Sequence, residues 1–280
     1  MKESTLPKKA MKQIEEKLAN TLAIQKRILR YNPKTFAIIF GPGSLIPSAL
    51  NSLTWAAHCC QAARYSLYLA HHEYIYYSKF RKPPRQGTAI LMAVWMFTAF
   101  SLHLIGAENH LSSAILLFTG QSLPKNKNGV ARQLPLKKVV EMEQVKSKEP
   151  ELANTLSQLV NSTNNQWIRK YRERWFHLDP VIVDELGIQF RESDKEPWEK
   201  DEEKGTLTLG VGGGDKPEIT VEEMLEKGDR GFNFFGEVFN YSAFFMEENI
   251  RERWDDNHFS KVITIKKPRK IPFKPMLSAI

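Results

Sequence analysis

Only two cysteines occur in the 280 residues, Cys59 and Cys60, and they are adjacent. Neighbouring cysteines rarely join to each other, so a disulfide framework is excluded and a reducing, cytoplasmic location is expected. The opening residues, Met1-Lys-Glu-Ser-Thr-Leu-Pro-Lys-Lys9, are charged and lack the apolar core of a signal peptide, which agrees with that expectation. Metal-binding spacings are missing as well, since no His-x-x-x-His or Cys-x-x-Cys element occurs. His71, His72 and Glu73 form the densest histidine group, and His103 and His110, seven apart, share a helical face. In an aromatic helix such histidines read as packed or exposed side chains, so neither a metal nor a cofactor is expected. Gly210-Val-Gly-Gly-Gly214-Asp215-Lys216 is rich in glycine but lacks P-loop order, and it reads as a turn. There is no internal repeat, and no linker long enough to separate an independent domain.

What the chain does have is apolar content and positive charge. At 42% hydrophobic residues it can bury a substantial core. Forty lysines and arginines against thirty-two acidic residues give a net charge of +8 and a pI near 9.3. That balance favours anionic partners, although much of the excess falls in loops and near the ends, as in Lys125 to Arg132 and Lys266-Lys267-Pro-Arg269-Lys270.

From Gly87 to Ala107 no residue is charged, and a membrane-spanning helix needs about 20 apolar residues. However, Thr98, Ser101, Glu108 and Ser112 recur at steps of three, seven and four, which places them on one helical face. Such a stripe gains nothing against lipid, so a buried bundle helix is expected and membrane association is the rival reading.

The remaining pattern is mainly helical. A charged amphipathic helix is expected over Lys8–Arg30, stopped by Asn32-Pro33, and a second over about Asn51–Tyr77, closed by Lys82-Pro83-Pro84-Arg85. A third runs from about Thr88 to Thr119, ending at Gly120. A fourth covers Pro150–His177, with Leu152, Leu156, Leu159, Thr163, Trp167 and Tyr171 or Lys170 inward, and Asp179-Pro180 terminates it. Beyond the acidic run Glu192–Lys204, Thr206–Val211 reads as a short strand. Thr220 with Glu223 reads as a capping box for a short helix towards Lys227, and a last helix occupies Phe232–Trp254. Val262–Ile265 is a further candidate strand. The expected fold class is all-α, an up-and-down bundle with a small β-containing insertion. Its parts are a bundle over 1–190, the acidic, glycine-bearing insertion over 191–231, and a closing helix with basic tail over 232–280.

The densest constellation of chemistry is Trp167-Ile-Arg169-Lys-Tyr171-Arg172-Glu173-Arg174-Trp-Phe-His177-Leu-Asp179-Pro180. Arginine offers forked donors to phosphate, aromatic faces stack on bases, and histidine exchanges protons near neutral pH. This inventory suits metal-free RNA cleavage, against the plainer reading of a solvated arginine face closed by a cationic helix end. On an ideal helix, positions five apart differ by about 140°, so Arg172 and His177 converge only if the helix unwinds near His177. Arg174, three before His177, needs no distortion. Glu108 is a costly carboxylate in an apolar helix, and it is expected to pair with an arginine of Pro150–His177 or to orient Arg172.

Arg172-Glu-Arg-Trp-Phe-His177 resembles the R-x(4–6)-H motif of the HEPN superfamily. The resemblance covers about Asn51 to Leu186. It implies a helical bundle that homodimerises and joins two motifs in one cleft. It also implies a metal-independent endoribonuclease that leaves a 2′,3′-cyclic phosphate, of the kind found in toxin–antitoxin and phage-defence systems, with an antitoxin as a further partner. By that resemblance the catalytic candidates are Arg172 and His177, with Glu108, Glu173 and Arg174 as supporting groups and RNA as the ligand. Glu173 departs from the asparagine, aspartate or histidine common after the motif arginine. Inactive members of the superfamily, which bind nucleic acid or protein, supply the alternative.

Overall fold

The structure, a computed structural model, describes residues 12, 43–79, 85–177, 208–209 and 219–253. The expected Lys8–Arg30 helix, the Glu192–Lys204 run, the Gly210–Lys216 turn, Asp179-Pro180, the Val262–Ile265 strand and the basic tail therefore lie outside the described residues. Within them the fold is all-α. Its helices are α1 Ile46–Lys79, α2 Arg85–Phe118, α3 Leu136–Glu141, α4 Glu143–Lys148, α5 Pro150–Asn161, α6 Thr163–His177 and α7 Val221–Arg253. A short antiparallel ladder joins β1 Thr208–Leu209 to β2 Ile219–Thr220, with Thr208 opposite Thr220. The chain divides into units 1–241 and 242–280, and the contacts described below lie within the first.

Helices α1 and α2 form an antiparallel pair. Trp55 stacks on His110, Cys59 lies against Gly106, and Leu67 and Phe97 meet at one point on α7, so partner numbers rise on one helix as they fall on the other. Small residues allow the two backbones to approach: Ala56, Ala57, Cys60, Ala63 and Ala70 from α1 and Ala93, Ala107 and Ala114 from α2 are all buried. Larger side chains, among them Leu53, Leu67, Phe97, Phe100, Leu104, Leu111 and Ile115, fill the layer beneath. By length and composition Leu91–Phe118 is apolar enough to cross a bilayer, and half of its most apolar window is buried within the chain itself.

The end of α2 follows a physical rule readable in sequence. Gly120 takes φ +84°, its N–H donates to Leu117 O at 3.0 Å, and Gln121 N–H donates to Leu116 O at 3.0 Å. This is the Schellman arrangement, which a side-chain-free residue enters without strain. Lys148 Nζ donates to Thr119 O at 2.7 Å, satisfying another terminal carbonyl and placing a cation at the negative helix end.

Two expectations need correction. The fourth helix is broken, because Ser162 adopts ψ 127° and separates α5 from α6. Ser162 N–H closes α5 on Leu159 O at 3.2 Å, and Ser162 O opens α6 by accepting from Gln166 N–H at 2.9 Å. The interruption resets the helical phase. Leu152, Leu156, Leu159 and, of the two alternatives, Tyr171 are buried as expected, yet Thr163 and Lys170 are exposed, and Asn165 and Ile168 join Tyr171 on the inner face of α6.

The second correction joins two expected helices into one. Helix α7 opens directly after Thr220, with Glu223 as its third residue, and continues through Gly228-Asp-Arg-Gly231 to Arg253, so no helix end falls at residue 231. A Cβ on Gly228 would lie 2.6 Å from Phe97 Cε2 and 3.0 Å from Leu67 Cδ1, and one on Gly231 would lie 2.5 Å from Ile168 Cδ1. The glycines serve close helix approach rather than chain termination.

Gly228→Ala should therefore reverse the usual helix preference. In an open helix, alanine in place of glycine gains about 1 kcal/mol. Here the methyl group meets the fully buried Phe97 ring, and overpacking of this kind costs about 1–3 kcal/mol. A lowered urea midpoint is expected for Gly228→Ala, and a raised midpoint would refute the close crossing.

Candidate functional site

Helix α6 carries the arginine-rich segment and is pinned to α2 at two levels. Tyr171 is buried, its hydroxyl 3.0 Å from Thr98 Oγ1, and Thr98 Oγ1 lies 2.9 Å from Val94 O. Burial pushes the Tyr171 phenol well above its usual range, while the Thr98 hydrogen bond lowers it, so the ring stays neutral. Around it, Phe97 meets Tyr171 edge-on at 5.2 Å between centroids, and Trp167 stacks on Tyr171 at 5.5 Å. Lys227 of α7 places its ammonium 5.8 Å from the centre of the Trp167 ring, within range of a cation–π contact.

The second level is an ion pair. Arg169 donates to Glu108 Oε2 from Nη2 at 2.8 Å and from Nε at 3.0 Å, and its Nη1 donates to Val160 O at 3.3 Å. Glu108 is only 4% exposed, and burial raises its pKa while the facing Arg169 charge and hydrogen bonds pull it back down. The expected pairing with an arginine of the Pro150–His177 segment is present, and the arginine is Arg169. Glu108 thus holds Arg169. The sequence leaves open which arginine of that segment pairs, because phase counted through one unbroken helix cannot choose between Arg169 and Arg172.

The polar stripe of α2 is buried and engaged along its length. Besides Thr98 and Glu108, Ser101 Oγ donates to Thr98 O at 2.7 Å and Ser112 Oγ donates to Leu134 O at 2.6 Å. The stripe faces α6 and the chain after α2, as a bundle helix requires.

The other sequence candidates are placed by α6 as follows. Arg172 is half-buried and Glu173 is exposed. The side chains of residues 174–177 lie outside the described set, so Arg174 and His177 are located by backbone alone. The backbone is helical from Thr163 through His177, so the unwinding that convergence of Arg172 and His177 would require is absent from that stretch. In helical register, position 177 falls with positions 170, 173 and 174, and about 140° from position 172. The structure therefore groups Lys170, Glu173, Arg174 and His177 by register, and it sets Arg172 apart.

Three of the four histidines weighed for metal make other contacts. His71 Nε2 lies 2.7 Å from Asp229 Oδ1, tying α1 to α7, and His72 Nδ1 lies 3.3 Å from Glu73 Oε1. His110 stacks on Trp55 and accepts from Gln133 Nε2 at 3.0 Å. Among the described residues no group of three His, Cys, Asp or Glu side chains could hold a metal ion.

No family model, no curated protein and no solved structure matches this chain.

Proposed function

We propose that the chain is a HEPN-type endoribonuclease that works without a metal ion. The carrying observation is α6 itself, a helix bearing Arg169, Lys170, Arg172, Glu173, Arg174 and His177 that is fixed to the bundle by the Glu108–Arg169 and Thr98–Tyr171 contacts. Rigid attachment matters because general acid–base chemistry loses rate steeply with misplacement of its groups.

In this reading His177 removes the proton from a ribose 2′-hydroxyl. The oxygen attacks the adjacent phosphorus, the P–O5′ bond breaks, and the departing 5′-oxygen takes up a proton. Products are a 2′,3′-cyclic phosphate and a 5′-hydroxyl, with no oxidant or co-reactant consumed. Arginine neutralises the charge that builds on the phosphoryl oxygens. Since α6 is helical through His177, Arg174 serves this role within one subunit, and Arg172 completes the site from a second copy of the chain. Glu108 is a positioning residue that acts through Arg169, and Glu173 contributes an exposed carboxylate in the register of His177.

A non-cleaving HEPN-like module that binds RNA or protein is the second reading. The unbroken helix favours it, because Arg172 and His177 diverge unless two copies meet. The chemistry separates the two. An RNA cut at one site should become resistant when the nucleotide 5′ to that bond is replaced by its 2′-deoxy form, since the attacking group is gone. Unchanged cleavage of the deoxy-substituted strand would rule out the proposed mechanism.

A further inference from the structure

Away from α6, one exposed cluster has no part in the proposed chemistry. Trp55 of α1 is 52% exposed and lies nearly parallel to His110 of α2, with 25° between ring planes and 6.3 Å between centroids. Gln133 holds the imidazole at its edge, its amide 3.0 Å from His110 Nδ1, which fixes that nitrogen as the acceptor. Burial lowers the His110 pKa, consistent with a neutral ring in this arrangement. His58, one turn along α1, also meets the indole, tilted by 57° at 5.7 Å, so the result is a three-ring ledge whose indole stays half exposed.

Immediately before Gln133, the chain forms a tight basic hairpin. Lys125 pairs with Ala131, Asn126 N–H donates to Val130 O at 2.9 Å, and the Asn126 side-chain oxygen accepts from Asn128 and Val130 N–H, both at 2.9 Å. Arg132 N–H donates to Pro124 O at 2.7 Å, closing the base of the loop. Lys125, Lys127 and Arg132 are exposed on it. From Asn109 to Val140 there is no acidic residue at all, while Lys125, Lys127, Arg132, Lys137 and Lys138 fall within that span. Positive charge beside the ledge therefore goes uncompensated by its own segment.

We propose that Trp55, His110 and Gln133, together with Lys125, Lys127 and Arg132 of the hairpin, form a binding platform for single-stranded RNA. A base extends the Trp55–His110 stack, while the hairpin cations take the neighbouring phosphates. This is the combination by which single strands are held without sequence readout: aromatic faces for bases and a basic track for the backbone. An anionic membrane surface would also attract the cations. A lipid-inserting loop, however, carries several exposed apolar side chains, and between residues 121 and 135 Val130 is the one large hydrophobic exposed. The inference rests on RNA being the ligand of this chain and is independent of whether the chain cleaves it.

The test uses the full chain carrying His177→Ala, so that RNA is not consumed, and a 5′-fluorescein-labelled 12-nucleotide single strand read by anisotropy. Trp55→Ala in that background should weaken binding about tenfold or more, and Trp55→Phe should keep most of the affinity. Replacing Lys125, Lys127 and Arg132 together by alanine should reduce the slope of log K against log salt by about 2. Because all four side chains are exposed, circular dichroism of each variant should match the parent. Equal affinity and equal salt slope in parent and variants would overturn the platform. So would platform-dependent binding to phosphatidylglycerol vesicles with no binding of RNA. Cleavage by the chain with His177 intact is measured separately. Cleavage with platform-independent binding removes only this site, and platform-dependent binding without cleavage removes only the nuclease.

Discussion

Arg169→Ala is expected to destabilise the chain by about 3–5 kcal/mol at neutral pH, because it strands the Glu108 carboxylate in the α2–α6 contact. That is a large share of the total stability of a typical domain. The effect should depend on pH in a defined direction. Burial sets the folded-state pKa of Glu108 above its ordinary 4.5, and Arg169 is what pulls it back. Between the ordinary value and the raised one, the folded chain binds more protons than the unfolded chain, so stability falls as pH rises through that window. Removing Arg169 extends the window upwards. The deficit of Arg169→Ala should accordingly be greatest at neutral pH and shrink on acidification towards pH 4.5. Adding Glu108→Gln to Arg169→Ala should recover most of the loss and flatten the pH dependence. Urea unfolding of the wild type, Arg169→Ala and the double variant across pH supplies the measurement. A loss below about 1 kcal/mol for Arg169→Ala at pH 7 would contradict a buried pair, since that is the range of exposed ones.

His177→Ala carries the largest expected effect on activity. General acid–base groups contribute about 10²- to 10⁴-fold, and alanine leaves no group at that position to exchange a proton. The structure adds a condition to this prediction. Because α6 is helical through His177, Arg174 shares its register and Arg172 does not. Mixing His177→Ala chains with Arg172→Ala chains should then restore part of the lost cleavage, because the proposed site combines the two residues from different copies. A site built within one copy from Arg174 and His177 would show no such rescue.

Much of the helical architecture was legible because composition and chain breakers agreed. The uncharged stretch from Gly87, the polar stripe and Gly120 located α2 closely. Ser162 was not legible. It is neither glycine nor proline, and the apolar pattern ran on through it, so the phase change in α6 could not be counted from residue 150. The reverse error occurred at Gly228 and Gly231, which look like helix breakers in isolation. They are tolerated within α7 because Phe97, Leu67 and Ile168 press against them, and that tertiary reason has no local signature. The short helices α3 and α4 escaped notice because six residues hold too little periodicity.

The candidate site was legible in the same uneven way. That Glu108 must find an arginine follows from the cost of a buried carboxylate. Which arginine it finds depends on the phase set by Ser162. The Trp55, His110 and Gln133 cluster left no signal at all, since it joins two helices and a loop that folds back 23 residues along the chain. The arginines and histidine of α6 stood out by density alone, and their chemistry follows from resemblance and inventory.

The most direct measurement is the cleavage of a defined single-stranded RNA by the purified chain in EDTA, with product ends mapped for wild type and His177→Ala. The account predicts 2′,3′-cyclic phosphate and 5′-hydroxyl ends from wild type, and their loss by at least 10²-fold in His177→Ala. Equal cleavage by the two proteins, or 3′-hydroxyl ends from wild type, would contradict it.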